Sequence, residues 1–451
     1  MAVNMLLVAT SIWMEMTFAY ADLLPLGLAV IGLILAEQWH VIRQTKPATS
    51  QAKPQRTWQA GLGYLLLLGV VAGFGMSTKY TALWLGIGFG VLVVFLGRRD
   101  GWRRALLYGA IYGLAAALTL APWLVRNLVW YHNPVYPLIF KSAEMDSIRQ
   151  NWYSQPDSGL IYGSEAWVIP ILPIAATFLG VEGAGKFATD IGPLFLILTP
   201  FIVLVWKLFT SEERRTVTAA MIVSGTIGLI WAISATFGSY ISLYTRLVLY
   251  SFGPLAITTA LTFVALDRLP KKPIDLGFIM KAMIALTLVF MAISGLRFFA
   301  GQGIETYFSG EKGYKDDYLE HALGWHYETM QRINQLPAGT TVRFLWEPRY
   351  LYCDDTRLNC YTDSLMDAWY YARRVIADGS PAAIAQAWRG EDIDYLLVYE
   401  FGRDFEKDSA PLYNPDDWTA WDVFVQDYLL EEWSNGNADD DTQYILYAWR
   451  Q

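Results

Sequence analysis

The chain has 451 residues, 54% of them hydrophobic and only 17% charged, a balance too apolar for an ordinary soluble protein. Residues 1–300 hold 22 Lys+Arg and 14 Asp+Glu, net +8, whereas residues 301–451 hold 12 and 28, net −16. The asymmetry excludes one solvent for the whole chain; residues after 300 carry no nucleotide-binding glycine fingerprint or phosphate loop, and nucleic acid is not among the expected partners.

Apolar runs of the length a helix needs to cross hydrocarbon recur through the first part. They predict nine spans, at about 2–16, 22–38, 58–76, 80–97, 105–125, 188–208, 216–236, 246–266 and 276–296. The first run lacks a basic leading region and a small-residue cleavage site, so it does not read as a signal peptide. Basic loops fall at alternate span ends: Arg43 to Arg56, Arg98 to Arg104, Arg214 with Arg215, and Arg268 with Lys271 and Lys272. The positive-inside rule then sets the N-terminus in the cytoplasm and the C-terminal part outside the cell membrane. The apolar segment 167–180 would reverse that order if it spanned, and it carries Pro170 and Pro173. It is expected to be an interfacial or re-entrant helix.

From residue 300 the pattern alternates between helical and strand periods, which predicts a small extracytoplasmic α/β domain over 300–451 behind a polytopic helical domain over 1–299. Helices are expected over 317–335, 363–377, 381–389 and 418–432, and strands over 342–346, 395–399 and 443–449. Cys353 and Cys360 are candidates for a disulfide in an oxidising compartment; two separate buried thiols are the other reading. Four histidines, with only His321 and His326 close in sequence, do not predict a protein-built zinc site.

Polar side chains at span ends carry the chemical signal, because each is costly in hydrocarbon without a partner or a wet cavity. On the outer side these are Glu15 and Asp22, Lys79 and Tyr80, Arg126, and Arg246. Two carboxylates and three cations on one side of a bilayer suit a pocket that grips a lipid-linked phosphate beside a carboxylate able to take a proton. The bland alternative is cations that snorkel to headgroups and acids that cap helices, Asp22 above all. After the fifth span, Tyr131-His132-Asn133-Pro134-Val135-Tyr136-Pro137 has the aromatics and prolines of an ordered interfacial turn.

Taken together, Phe18-Ala19-Tyr20-Ala21-Asp22-Leu23, Ser77-Thr78-Lys79-Tyr80-Thr81-Ala82, Pro122-Trp123-Leu124-Val125-Arg126-Asn127, Asn133-Pro134-Val135-Tyr136-Pro137, and Arg246 followed by Pro254 resemble the polyprenyl-phosphate-sugar-dependent glycosyltransferases of the GT-C superfamily. Protein O-mannosyltransferases and the lipid A aminoarabinose transferase are members of it, and the resemblance covers most of residues 15–265. It implies inverting transfer of a sugar from a polyprenyl-phosphate carrier to an unidentified acceptor at the outer face. It also implies donor-phosphate contacts by Lys79, Arg126 and Arg246, with Tyr80 and Tyr136 nearby. Asp22 matches the family's second acid, while the loop that bears its principal base has no counterpart. The resemblance thus implies a start that is misassigned or fragmentary, or else an acid–base role carried by Glu15 and Asp22 alone. A divalent metal serves some relatives; this chain offers no clear ligand set, and no cofactor is expected.

Two other classes remain. A transporter or flippase for lipid-linked sugars would be expected to show internal repeats and helices broken near the midplane. A non-catalytic membrane scaffold would use its acidic outer domain to bind a partner.

Overall fold

The computed structural model describes residues 2–7, 9, 12, 21–44, 54–142, 145–153, 166–178, 191–237, 244–301, 314–409, 413–435 and 444–450. The chain divides into two compact units, one of Met1–Glu144 with Leu160–Gly295, the other of Met145–Gly159 with Leu296–Gln451.

Among the described residues of the first unit, seven helices are long and apolar enough to cross a membrane: Leu23–Gln44, Gly61–Thr78, Tyr80–Asp100, Trp102–Tyr131, Ser211–Phe237, Thr245–Leu266 and Leu276–Ile293. Leu106, Leu107, Leu114 and Leu118 stay exposed along one of them, as suits side chains that meet lipid rather than water. Contact between the helices relies on small residues. Gly69 and Gly73, spaced as G-x-x-x-G, lie against the Trp102–Tyr131 helix so closely that a Cβ on Gly69 would meet both Ala115 Cβ and the Tyr112 carbonyl at 2.6 Å. The Tyr112 hydroxyl donates to the Gly86 carbonyl at 2.7 Å, so this buried phenol is satisfied across helices.

Two of the expected spans differ from their sequence reading. The 2–16 run is helical over Ala2–Leu6, and residues 13–20 lie outside the described set. The 188–208 run is not one straight helix: its described part breaks into Pro193–Leu198, Phe201–Val205 and a 3-10 turn at Trp206–Leu208. Pro200 explains the break, since it has no N–H to give and its ring crowds the preceding turn. In the 167–180 segment, a 3-10 turn at Ala166–Val168 precedes a short helix, Leu172–Phe178.

The second unit is a mixed sheet of β1 (Thr341–Leu345), β2 (Asn359–Tyr361), β3 (Tyr395–Tyr399), β4 (Leu429–Asn435) and β5 (Tyr444–Trp449), in the order β2-β1-β3-β5-β4. The first three strands are parallel, and β5 runs antiparallel to both β3 and β4. Leu396 and Val398 of β3 pack with Trp369, Trp388, Trp421 and Phe424 on one face. Leu397 packs with Met330, Ile333, Phe344 and Leu446 on the other. Cover on both faces is why β3 is an unbroken apolar run rather than an alternating one.

Three expectations for this unit need correction, the first being the helix foreseen over 363–377, which spans only Ala368–Val375. The helix foreseen over 317–335 breaks at Gly324, whose φ of 52° admits few other residues, into Tyr314–Leu323 and Trp325–Ile333. The one foreseen over 418–432 is Pro415–Tyr428, closed at its start by a reciprocal Asn414–Asp417 capping box. At Leu429 the chain turns extended to pair with Trp449, so sheet contacts override the helical preference of Leu and Glu there. The helix Glu400–Ser409 had no counterpart in the sequence reading. The structure joins Cys353 to Cys360, with Cα atoms 6.7 Å apart, and β2 begins beside the bridge.

Candidate functional site

Asp22 stands one residue before the Leu23–Gln44 helix and is 2% exposed. A carboxylate this buried is costly without a counter-charge, and Lys79 supplies it: Nζ donates to Asp22 Oδ1 at 2.6 Å. Lys79 sits in the extended residue that opens the Tyr80–Ala82 turn, the sharp corner between two long helices. The ion pair therefore ties a helix start to a helix–helix corner.

Beyond Lys79 the chain continues into a second network. The Tyr80 hydroxyl donates to the Tyr136 carbonyl at 2.6 Å and accepts from Asn127 Nδ2 at 2.9 Å. Asn127 is 2% exposed, and its Oδ1 faces Arg126 Nη1 at 3.4 Å. The Arg126 guanidinium lies between aromatic rings, 4.8 Å from the Trp123 centroid and 4.0 Å from that of Trp130. A guanidinium is weakly hydrated, and ring faces of this kind hold it by cation–π attraction.

The Tyr136 ring stacks on Tyr131 at 4.0 Å, and its loop is organised from within by Asn133, which is fully buried. Asn133 Nδ2 donates to the Leu138 and Phe140 carbonyls at 3.0 and 2.8 Å, and Oδ1 accepts the Val135 amide at 3.0 Å. All of its polar atoms thus face the loop's own backbone.

Arg246 belongs to the 3-10 segment Thr245–Ser251, with its guanidinium 5.1 Å from the Tyr244 ring. That segment packs on the Leu23–Gln44 helix and on the Tyr80–Ala82 turn, where the Tyr250 hydroxyl donates to the Thr81 carbonyl. An apolar cavity of about 220 Å³ has Val248 and Ser251 of the same segment in its wall, together with Phe195, Thr199, Gly228 and Trp231.

Direct bonds thus connect Asp22 with Lys79, and Tyr80 with Tyr136 and Asn127. Arg126 joins through Asn127, while Arg246 lies on an element packed against the same corner. Glu15 falls outside the described residues. Sequence reasoning quoted Asn127 and Asn133 within motifs without giving either a role, and did not name Tyr250. The available signals were an amide beside Arg126 in an apolar helix and one ahead of Pro134, where a polar side chain needs a partner.

No protein-family model matches the chain, and no curated protein matches it. Among solved structures it is similar to ArnT from Cupriavidus metallidurans bound to undecaprenyl phosphate, at 17% identity and a TM-score of 0.46, over 99% of this chain and 78% of that one. A likeness of that size leaves the function to be argued from this chain's own residues.

Proposed function

We propose that this chain is a membrane glycosyltransferase that moves a sugar from a polyprenyl-phosphate donor to an acceptor at the outer face, with inversion. The observation that carries the reading is the ion pair of buried Asp22 with half-buried Lys79, continuous through the chain with the Tyr80–Asn127–Tyr136 network and Arg126. Lys79, Arg126 and Arg246 match the charge of the donor phosphate, and the Tyr80 and Tyr136 turn shapes its seat. Charge matching makes that phosphate a better leaving group. The acceptor hydroxyl attacks the anomeric carbon, the bond from that carbon to the phosphate oxygen breaks, and polyprenyl phosphate departs with the electron pair. Asp22 takes the hydroxyl proton, with Glu15 as the other candidate acid. The apolar cavity beside Val248 and Ser251 offers a lining suited to isoprenoid carbon.

Domains 1–299 and 300–451, with the N-terminus cytoplasmic and the C-terminal part outside, complete the proposal. The test is transfer of labelled sugar from a polyprenyl-phosphate donor in membranes holding the full chain. Asp22→Asn and Lys79→Ala are each expected to abolish transfer at unchanged expression. Full activity in both variants would remove these residues from the site and the reading with them.

A further inference from the structure

At the opposite end of the first unit, a second polar cluster has no part in the proposed reaction. The corner between the Leu83–Gly97 and Trp102–Tyr131 helices carries Arg98, Arg99, Arg103 and Arg104 against a lone acid, Asp100. Arg43, in the last turn of the Leu23–Gln44 helix, reaches across and pairs with Asp100. Its guanidinium is 4.3 Å from the Trp39 ring centroid and 4.7 Å from that of Tyr108, whose hydroxyl also donates to Asp100 at 3.1 Å. The geometry holds the Arg43 head rigidly.

Beside it lies a cavity of about 320 Å³. Arg43 and Arg104 line it together with Leu62, Leu65, Leu107 and Ile111. Nε and Nη1 of Arg43 are buried and have no hydrogen-bond partner among the described residues. Donors left so are costly in an apolar setting, and a phosphate oxygen is a strong, charged acceptor for a single guanidinium N–H. Leucine and isoleucine walls below two arginines describe a ligand with an anionic head and a hydrocarbon body.

We infer that this pocket binds an anionic glycerophospholipid of the leaflet on the basic side of the membrane, its phosphate on Arg43 and Arg104 and its acyl chains along Leu65, Leu107 and Ile111. Basic pockets between spanning helices on the cytoplasmic side recognise such headgroups, and each Arg near the surface strengthens the attraction roughly fivefold. The shared chemistry is a phosphate ester, which a soluble phosphate also offers; the hydrocarbon walls favour the lipid. Nothing in the inference depends on glycosyl transfer.

The test uses the purified full chain in detergent, titrated with phosphatidylglycerol, phosphatidylcholine or sn-glycerol 3-phosphate while the thermal midpoint is followed. Phosphatidylglycerol is expected to raise the midpoint in a saturable manner, and the other two are not. Arg104→Gln, at an exposed side chain, should weaken the lipid's apparent affinity roughly fivefold. Leu107→Trp, which fills the cavity from a half-exposed wall, should weaken it at least as much. Equal response to phosphatidylcholine would overturn the inference, as would a full response to glycerol phosphate or lipid binding unchanged in both variants.

Discussion

Two buried side chains show how far a single group shapes its surroundings. Asn133 uses an amide's two faces to tie three backbone positions of the Tyr136 loop. Aspartate has the same shape but no N–H, so Asn133→Asp would set a carboxylate against the Leu138 and Phe140 carbonyls. If that loop seats the donor, transfer should fall by on the order of a hundredfold, since two buried bonds at ~1–3 kcal/mol each are lost. Protein yield should hold, and a normal rate in the membrane assay would detach the loop from function. In the second unit, burial followed by the nearby Asp363 and Asp367 pushes the Glu406 carboxyl up to about 8. Its unfolded value is lower, so the folded state binds more protons between the two values and stability declines as pH rises through that window. Glu406→Gln should therefore raise the thermal midpoint of the full chain at pH 8.5 and leave it nearly unchanged near pH 4. A midpoint difference independent of pH would show that Glu406 is not the titrating group.

Helices and strands were legible in proportion to how locally they are determined. The Tyr395–Tyr399 run emerged with the boundaries it has in the sheet, because a short β-branched and aromatic run with cover on both faces leaves little choice. Leu429–Asn435 did not, for its residues favour a helix and only pairing with β5 makes it a strand. In the first unit, apolar length revealed the long helices, yet the interruption at Pro200 was passed over inside an otherwise continuous run. The site followed the same division. Charged residues at span ends stood out, whereas the amides that bind the site together look ordinary without knowledge of their partners. Close helix approach is equally silent in hydropathy but can be tested. Gly73→Val would drive its side chain into the Ala116 backbone and Thr119. Overpacking of this kind costs roughly 1–3 kcal/mol. A lower thermal midpoint and more proteolysis are expected, against little change for Gly63→Val, where an added Cβ meets nothing within 4 Å.

Charge asymmetry announced two solvents, but it gave no hint that Met145–Gly159 belongs with the later unit. Burial and bonding supply the reason. Arg149 places Nε 2.9 Å from Asp367 Oδ2 and Nη2 3.3 Å from Oδ1, a two-point grip on a carboxylate that is fully buried. Its guanidinium also lies 4.1 Å from the Tyr371 ring centroid, and the Tyr371 hydroxyl donates to Asp146 at 2.9 Å. These contacts fasten residues 146–149 to the Ala368–Val375 helix of the same unit. Asp367→Asn keeps the size of the side chain and removes its charge. Breaking a buried pair costs about 3–5 kcal/mol, because the surviving partner keeps its desolvation penalty. Arg149 retains some exposure to solvent, so the lower end applies and local opening should become about a hundredfold more frequent. Hydrogen exchange in the full chain should then accelerate over residues 147–153 while the amides of β3 stay protected. Acceleration in β3 as well would mean that Asp367 supports the sheet domain generally, and no acceleration would mean that the segment is held by its backbone alone.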